Sequence, residues 1–427
     1  MTTTTMSAMR VLISGAGIAG PTLAYFLAKA GARVTVVEKS HSLLAQGQNI
    51  DIQGSAVTVV EKMGVLAKIK QFNTSEKGTQ FIDPKGRPFA PLPMKQGALS
   101  PTSEFEILRG DLATVLYEAT KEHPNVKYEF GTTIKEIISN DHDAVKVELS
   151  NGDQQTFDLL VAADGQWSRL RKQCFTPESI KVVDKGTYAV YFTIPRLSSD
   201  NDWWNVYSAL GSKLITLRPD PHGTIRAMFS CMPCNAAQKQ AWQEASRDDR
   251  KMQEELVRCE FADAGWQAQR LLDAMGSSPD FYLQPMQQIK MSHWSSSRVV
   301  CLGDAAHAPT PLTGYDTSLA VIGSYVLAGE LSKLTAGEHP SKAFEAYEGT
   351  FRPFVEEIQK IPSFVPAIAH PKTAWKRWLL QACISVVSRI VRIPWLASRL
   401  TDEYGEANDN GFPLPPYPNL DDRKYVT

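Results

Sequence analysis

The chain has 427 residues, with 45 Lys+Arg against 46 Asp+Glu (net charge −1), 43% apolar and 21% charged residues. That length suggests two or three domains of about 150 residues; the composition excludes a disordered or fibrous chain, and the balanced charge argues against a nucleic-acid surface. Six cysteines form no disulfide framework, the charge-free apolar stretches 317–329 and 378–388 fall short of the roughly 18 residues of a membrane span, and the polar N-terminus lacks signal-peptide anatomy, so a reducing cytoplasm is expected.

Residues 10–14 read as a short strand broken by Gly15 to Gly20. Residues 22–30 follow as a helix, with Leu23, Phe26, Leu27 and Ala30 on one face. Gly31 ends it, and 33–38 is a second strand. In this βαβ unit Gly15 allows a tight turn, Gly17 lets a diphosphate approach the backbone, and Gly20 lets helix and strand pack closely. The helix N-terminus offers N–H donors to phosphates. Glu38, at the end of the second strand, is placed to accept from ribose hydroxyls and would repel a 2′-phosphate, which favours FAD or NAD over NADP. The unit alone does not choose between FAD and NAD, and a tight turn without ligand is the plain alternative.

Further on, Ile107-Leu108-Arg109-Gly110-Asp111-Leu112 places Arg109 before a helix; alone it reads as a surface arginine. Residues 145–149 and 156–162 are β-rich and flank Asn151-Gly152, a hairpin signal. A buried-type strand then runs into Asp164-Gly165 and a turn capped by Ser168. Segments 187–195, 205–217 and 223–232 read as strands, with a turn at 219–223, and 238–261 reads as a polar helix. The middle is therefore expected to be an antiparallel sheet inserted into an α/β protein. On 187–194, period two puts Ala189, Tyr191 and Thr193 on one face and Tyr188, Val190 and Phe192 on the other. Trp203, Trp204 and Tyr207 suit an apolar ligand or the core equally. Cys231 and Cys234 have no second Cys/His pair at zinc spacing, so no metal site is expected.

Residues 298–302 form another buried-type strand, ending in Gly303-Asp304. Asp304 is placed to accept from sugar hydroxyls, and the Pro309–Pro311 loop to hold a planar ring against the next helix. His307 invites a base role. Helices are expected at 319–334 and at 343–361, the latter interrupted by Pro353. The amphipathic segment 373–400 carries Lys376, Arg377, Arg389 and Arg392 and is expected to pack on the nucleotide-binding domain rather than touch a membrane. Residues 408–420 read as a surface-hugging, Pro-rich tail.

In this order and spacing the four motifs resemble the group A flavoprotein monooxygenases, the para-hydroxybenzoate hydroxylase-like family, over about residues 10–335. The run 314–331 and Leu414-Pro-Pro-Tyr417 look most like the branch of tetracycline-inactivating and aurachin-type enzymes. The resemblance implies an α/β fold: a Rossmann-like FAD-binding domain (8–80, 100–180, 290–365), an inserted β-sheet substrate domain (81–99, 181–289) and a C-terminal helical segment (366–427). It implies that Gly15, Gly17 and Gly20 bind the FAD diphosphate and Glu38 the adenosine ribose. Arg109 would touch FAD, Asp164 and Gly165 would serve FAD and NAD(P)H, Gly303 and Asp304 the flavin-side ribose, and His307 would support their loop rather than act as a base. Lys39 stands where the family usually has Arg, and Gly314-Tyr315-Asp316 where it has Gly-x-Gly. Asp316 is expected as a helix N-cap, accepting from the Ser318 or Leu319 N–H. Gln48, Asn49, Asp51 and Pro311 would lie near the flavin ring edge. Tyr191, with Arg226 and Tyr207 behind it, would face the substrate.

The resemblance further implies an enzyme in which NAD(P)H reduces FAD. Dioxygen then gives a flavin C4a-hydroperoxide that hydroxylates or epoxidises an electron-rich, aromatic or polycyclic small molecule, in secondary metabolism. The alternatives are an NAD-dependent dehydrogenase, which leaves the later motifs unexplained, and a non-oxygenating flavoprotein.

Overall fold

Branched apolar residues in Arg10–Ser14 and Arg33–Glu38 form parallel strands β1 and β2, joined by helix α1 (Ala19–Lys29). Pro21 falls in the first turn of α1, where a missing N–H costs nothing. The structure is a computed structural model that describes residues 6, 9–43, 47–94, 105–362, 364–391 and 411–421. Next come β3 (Asn49–Asp51), α2 (Ser55–Lys62), α3 (Leu66–Gln71), β4 (Gly78–Ile82) and β5 (Pro88–Pro93). Strand β6 (Glu106–Leu108) feeds α4 (Arg109–Glu118), followed by β7 (Val126–Phe130). A small antiparallel sheet, β8 (Ile134–Asn140), β9 (Val145–Leu149) and β10 (Gln154–Phe157), precedes β11 (Leu159–Ala162) and α5 (Arg169–Cys174). The long strand β12 (Ile180–Pro195), β13 (Trp204–Ala209), β14 (Lys213–Pro219) and β15 (Thr224–Cys231) lead to helices α6 (Ala236–Ala245), α7 (Arg250–Phe261) and α8 (Ala268–Met275). Then follow β16 (Tyr282–Met291), β17 (Ser295–Ser296), β18 (Val299–Cys301), α9 (Asp304–His307), α10 (Asp316–Ser332), α11 (Ser341–Ile358), α12 (Val365–Ala369), α13 (Ala374–Val391) and α14 (Pro418–Asp421).

One sheet has the order β17-β18-β11-β1-β2-β7, and its four central strands β18, β11, β1 and β2 are parallel. Register aligns Ser14 with Ala162 and with Val37, and Ala162 with Cys301. The residues after these strands therefore leave the sheet at one edge. That edge carries Gly15, Glu38, Asp164 and Gly303, and the carboxyl edge of parallel strands is where α/β proteins bind ligands.

The second sheet has the order β16-β12-β15-β14-β13-β4-β5. Helices α6 to α8 cover one face, burying Tyr188, Phe192, Phe229, Trp242 and Phe261 in their own core. The opposite face bears a cross-strand row of Tyr282, Tyr191, Met228, Thr216, Val206 and Phe81.

Several elements differ from the sequence expectation. Residues 205–217 form a hairpin, turning at Gly211 and Ser212, both at positive φ. The 238–261 segment splits into α6 and α7 because Asp249 caps α7, accepting from the Met252 N–H at 3.0 Å. Helix α11 runs through Pro353, which is exposed, as is Gly349, whose carbonyl the proline leaves free for water. Helix α13 packs on β5, with the Ser388 hydroxyl donating to the Pro91 carbonyl at 3.0 Å, rather than on the first sheet; residues 392–400 lie outside the described ones. The tail is no surface strap: Phe412, Tyr417 and Leu420 are buried in the main core. Among the described residues no helix is long and apolar enough to cross a membrane.

Candidate active site

A cavity of about 550 Å³ opens at the carboxyl edge of the first sheet. Gly15, Gly17, Glu38, Lys39, Arg109, Asp164, Gly165 and Asp304 all line it. Gly15 sits at φ +112°, where a Cβ would strike the Ala163 carbonyl at 2.4 Å. Gly17 faces open space: a Cβ there would meet only the Arg109 guanidinium, at 3.9 Å. Gly20 does not line the cavity; its bare Cα lets α1 close on the turn, since a Cβ would lie 2.0 Å from the Gly15 carbonyl oxygen.

Glu38 braces the glycine turn by accepting from the Ala16 N–H at 2.9 Å and the Ser40 N–H at 3.0 Å. Asp164 accepts from the Arg169 N–H at 2.9 Å through Oδ2, while its buried Oδ1 has no partner. Ser168 caps α5, as expected, accepting from the Arg171 N–H at 3.0 Å. The Arg171 guanidinium knits two loops together, donating to the Ala305 carbonyl at 2.7 Å and the Gln166 carbonyl at 2.6 Å.

Gln48, Asn49, Asp51 and Pro311, all expected near a ring edge, lie outside the cavity lining. Gln48 accepts the Tyr282 O–H through its side chain and the Arg109 N–H through its carbonyl, at 3.0 Å. Pro311 opens a 3₁₀ turn, and Gly314 ends it at φ +67°, near the Gln53 amide. Gly303, at φ +61°, lies between α1 and α10, where a Cβ would come within 3.3 Å of Ala19 and 3.5 Å of Ala320.

Asp316 is not an N-cap. The Leu319 N–H is taken by the Tyr315 carbonyl at 2.8 Å, so Tyr315 occupies the cap position and Asp316 is the first helical residue. Ser318 instead accepts from the Gln53 N–H at 2.9 Å. The Asp316 carboxylate joins the cavity wall. Burial raises its affinity for a proton, opposed by the Thr317 N–H and Arg109. Burial, and then Asp316, push Asp304 up to about 7, against Arg109 and Arg171.

Of the three residues expected to face substrate, Tyr191 alone stands on the face opposite the helices without an ion-pair partner, though outside the cavity lining. It stacks on Tyr282, with ring centroids 5.1 Å apart and planes at 22°. Tyr282 was not anticipated; only the pairing of β12 with β16 brings it there. Tyr207 points the other way, into the helix-covered core against Trp266, because alternation along β13 gives the open face to Trp204 and Val206. Arg226 shares the face of Tyr191, but Asp220 (2.9 Å), Asp280 (2.8 Å) and the Thr193 hydroxyl (2.5 Å) hold its guanidinium, so it fastens strands. Its cross-strand neighbour Arg218 donates to Glu76 at 2.7 and 2.8 Å and to Glu106, over the Trp204 ring at 4.2 Å. Asn49 donates to Glu106 at 2.7 Å, which joins the 47–53 segment to this sheet. His307 is buried against Trp294 outside the cavity lining, and burial lowers its proton affinity to about 3, which keeps the ring neutral.

Comparison with known proteins adds four findings. The family described as FAD binding domain matches residues 8–360. Monooxygenase CTB7 of Cercospora beticola is 34% identical over 89% of this chain and 92% of its own length. FAD-dependent monooxygenase asL6 of Sarocladium schorii is 33% identical over 97% and 99%. The tetracycline destructase Tet(55) has the same fold, with a TM-score of 0.77 and 27% identity over 98% of this chain and all of that one.

Proposed function

Because this chain belongs to the FAD-binding-domain family of flavoprotein monooxygenases, we propose that it uses NAD(P)H and dioxygen to hydroxylate or epoxidise an electron-rich aromatic or polycyclic small molecule in secondary metabolism. One observation carries this reading: four motifs far apart in the chain line one cavity at the carboxyl edge of a parallel sheet.

The lining fits FAD. Gly17 leaves a gap beside Arg109 for a diphosphate, and the amides opening α1 add donors. Glu38 and Lys39 would hold the adenosine ribose, and the unpartnered Oδ1 of Asp164 is free to accept from a hydroxyl. Asp304 would hold the flavin-side ribose. FAD bound there supplies electron storage and oxygen activation. The chain's part is to place substrate and keep water away. Tyr191 and Tyr282 offer a flat stacked surface, fixed by the bond from Tyr282 to Gln48. Met228, Thr216, Val206 and Phe81 continue that row across the sheet. The likeness to a tetracycline destructase favours a polycyclic ligand.

The test is incubation of the FAD-loaded protein with NADH or NADPH, ¹⁸O-labelled dioxygen and a panel of phenols, quinolones, indoles and polycyclic phenols. The expected result is ligand-stimulated NAD(P)H oxidation and a product heavier by one ¹⁸O atom. Oxidation of a ligand with no label incorporated would overturn oxygenation, and a protein without flavin absorption would overturn the cofactor.

A further inference from the structure

Helix α13 turns an apolar side outward. It is fastened to the seven-stranded sheet at both ends. The buried Ser388 hydroxyl donates to the Pro91 carbonyl of β5 at 3.0 Å. The carbonyls of Pro371 and Lys372, just before the helix, accept from the Ser212 and Gly211 N–H groups of the β13–β14 turn at 3.4 and 3.2 Å. Val386 stands about 200° round the helix from Ser388. From Val386 an apolar stripe runs back through Cys383, Leu379 and Trp375 at spacings of three and four, with Trp378 beside it. All five are exposed, Trp378 by 69% and Trp375 by 62%. Phe364 and Ile368, which precede α13 in the chain, are exposed as well. The apolar stripe of a helix normally faces a core, and exposed apolar surface rimmed by charge marks a binding face.

Charge decides what covers the stripe. Residues 361–401 hold six Lys and Arg and no Asp or Glu, in a chain whose net charge is −1. Among the described residues Lys372, Lys376, Arg377 and Arg389 make no ion pair. The Lys376 ammonium lies 5.8 Å from the centre of the Trp375 ring, at the edge of the stripe. Two copies packed through this face would set these cations against one another, whereas anionic headgroups neutralise them. We propose that α13 lies in the plane of an anionic phospholipid surface, with Trp375, Trp378, Leu379 and Val386 at the boundary of headgroups and acyl chains and the cations on lipid phosphates. Tryptophan suits that boundary, because its ring is apolar and its N–H polar. Lys and Arg reach the headgroups along their apolar stems. Held to β5 by Ser388, the helix rests on the surface with its stripe inward, the geometry of an interfacial amphipathic helix.

Co-sedimentation of the full chain with unilamellar vesicles tests the proposal, using phosphatidylcholine alone or mixed with phosphatidylserine. The proteins are the wild type, Trp375→Ser/Trp378→Ser and Lys376→Gln/Arg389→Gln, with light scattering to give the mass of each without lipid. The wild type is expected to bind the anionic vesicles and to lose about tenfold or more in affinity on phosphatidylcholine alone or in high salt. The tryptophan variant is expected to lose about tenfold or more, because two rings no longer leave water. The charge variant is expected to lose about 25-fold, at about fivefold per cation. All four side chains are exposed, so the thermal midpoints are expected to match the wild type. A wild type that sediments with neither vesicle, or equally with both, overturns the proposal. Binding that survives in the tryptophan variant places the contact elsewhere and also overturns it. So does a wild type that is dimeric without lipid and monomeric in the tryptophan variant, since a second copy then covers the stripe.

Discussion

Arg218 neutralises at most one of the two carboxylates that grip it. Glu76 and Glu106 have side chains 1% and 4% exposed. Burial, together with Glu76 and Asp51, pushes Glu106 up to about 8 against the pull of Arg218 and Asn49. An acid that holds its proton more tightly when folded contributes most below its unfolded value of about 4.5, and the contribution is lost as pH rises to about 8. Glu106→Gln, a mimic of the protonated acid, should therefore match the wild type at about pH 4 and exceed it at about pH 9 in urea midpoint. Arg218→Met should cost about 3–5 kcal/mol, because it leaves a buried charge unpaired. Arg109 is the contrasting case, since its guanidinium faces the cavity. A hydrogen bond to a charged group is worth about 1.5–3 kcal/mol, so Arg109→Ala should weaken FAD binding by about 10- to 100-fold, read by flavin fluorescence, with the urea midpoint nearly unchanged. The sequence points to Arg109 through its place before a helix and its order among the motifs. It does not point to Arg218, whose partners Glu76 and Glu106 lie more than a hundred positions away. Period two divides Tyr207 from Trp204 but does not say which face is covered, and that is why Tyr207 was misplaced.

Helix α10 is buried along nearly its whole length, and the C-terminal tail closes over it. The Tyr417 ring lies where a side chain at Gly329 would be, with a Cβ only 2.3 Å from the ring carbons. Its hydroxyl donates to Glu330 at 2.7 Å. Gly→Ala inside a helix ordinarily gains about 0.5–1 kcal/mol. Here overpacking, about 1–3 kcal/mol, is expected to win, so Gly329→Ala should lower the urea midpoint. Tyr417→Ala destabilises by itself, and the added cost of Gly329→Ala should vanish in that background, where a cycle would show coupling. Elements were legible where the pattern is local: β1, α1 and β2 follow from two short branched apolar runs, period 3.6 and three glycines. The turn between β13 and β14 was not, because Leu210-Gly211-Ser212 interrupts an apolar run without an Asn-Gly or proline. Asp316 was misread for a related reason. Acids favour both the N-cap and the first turn, and the Tyr315 carbonyl, not composition, decides between them.

At the scale of the molecule, the cavity is a meeting of five stretches, within residues 14–43, 109–113, 132–134, 163–170 and 302–320. The seven-stranded sheet is tied to its Arg109 wall through Gln48, which takes the Tyr282 O–H on its side chain and the Arg109 N–H on its carbonyl. It is joined to α4 again where the His222 ring meets Asp111 at 2.9 Å, two residues after Arg109. A ligand that touches all five stretches binds only when they are assembled, so FAD should act as a staple on the native state. Ligand linkage puts this at about 2.7 kcal/mol for free FAD at a hundredfold excess over its dissociation constant. The thermal midpoint of the flavin-free protein should therefore climb with the logarithm of FAD concentration. AMP, which carries only the adenosine end, would reach Glu38 and Lys39 but not Asp304 and Asp316 together, so it should shift the midpoint much less. Equal shifts from AMP and FAD would mean that the stretches around Asp164 and Asp304 grip nothing, and the convergence of the motifs would then be a matter of packing alone.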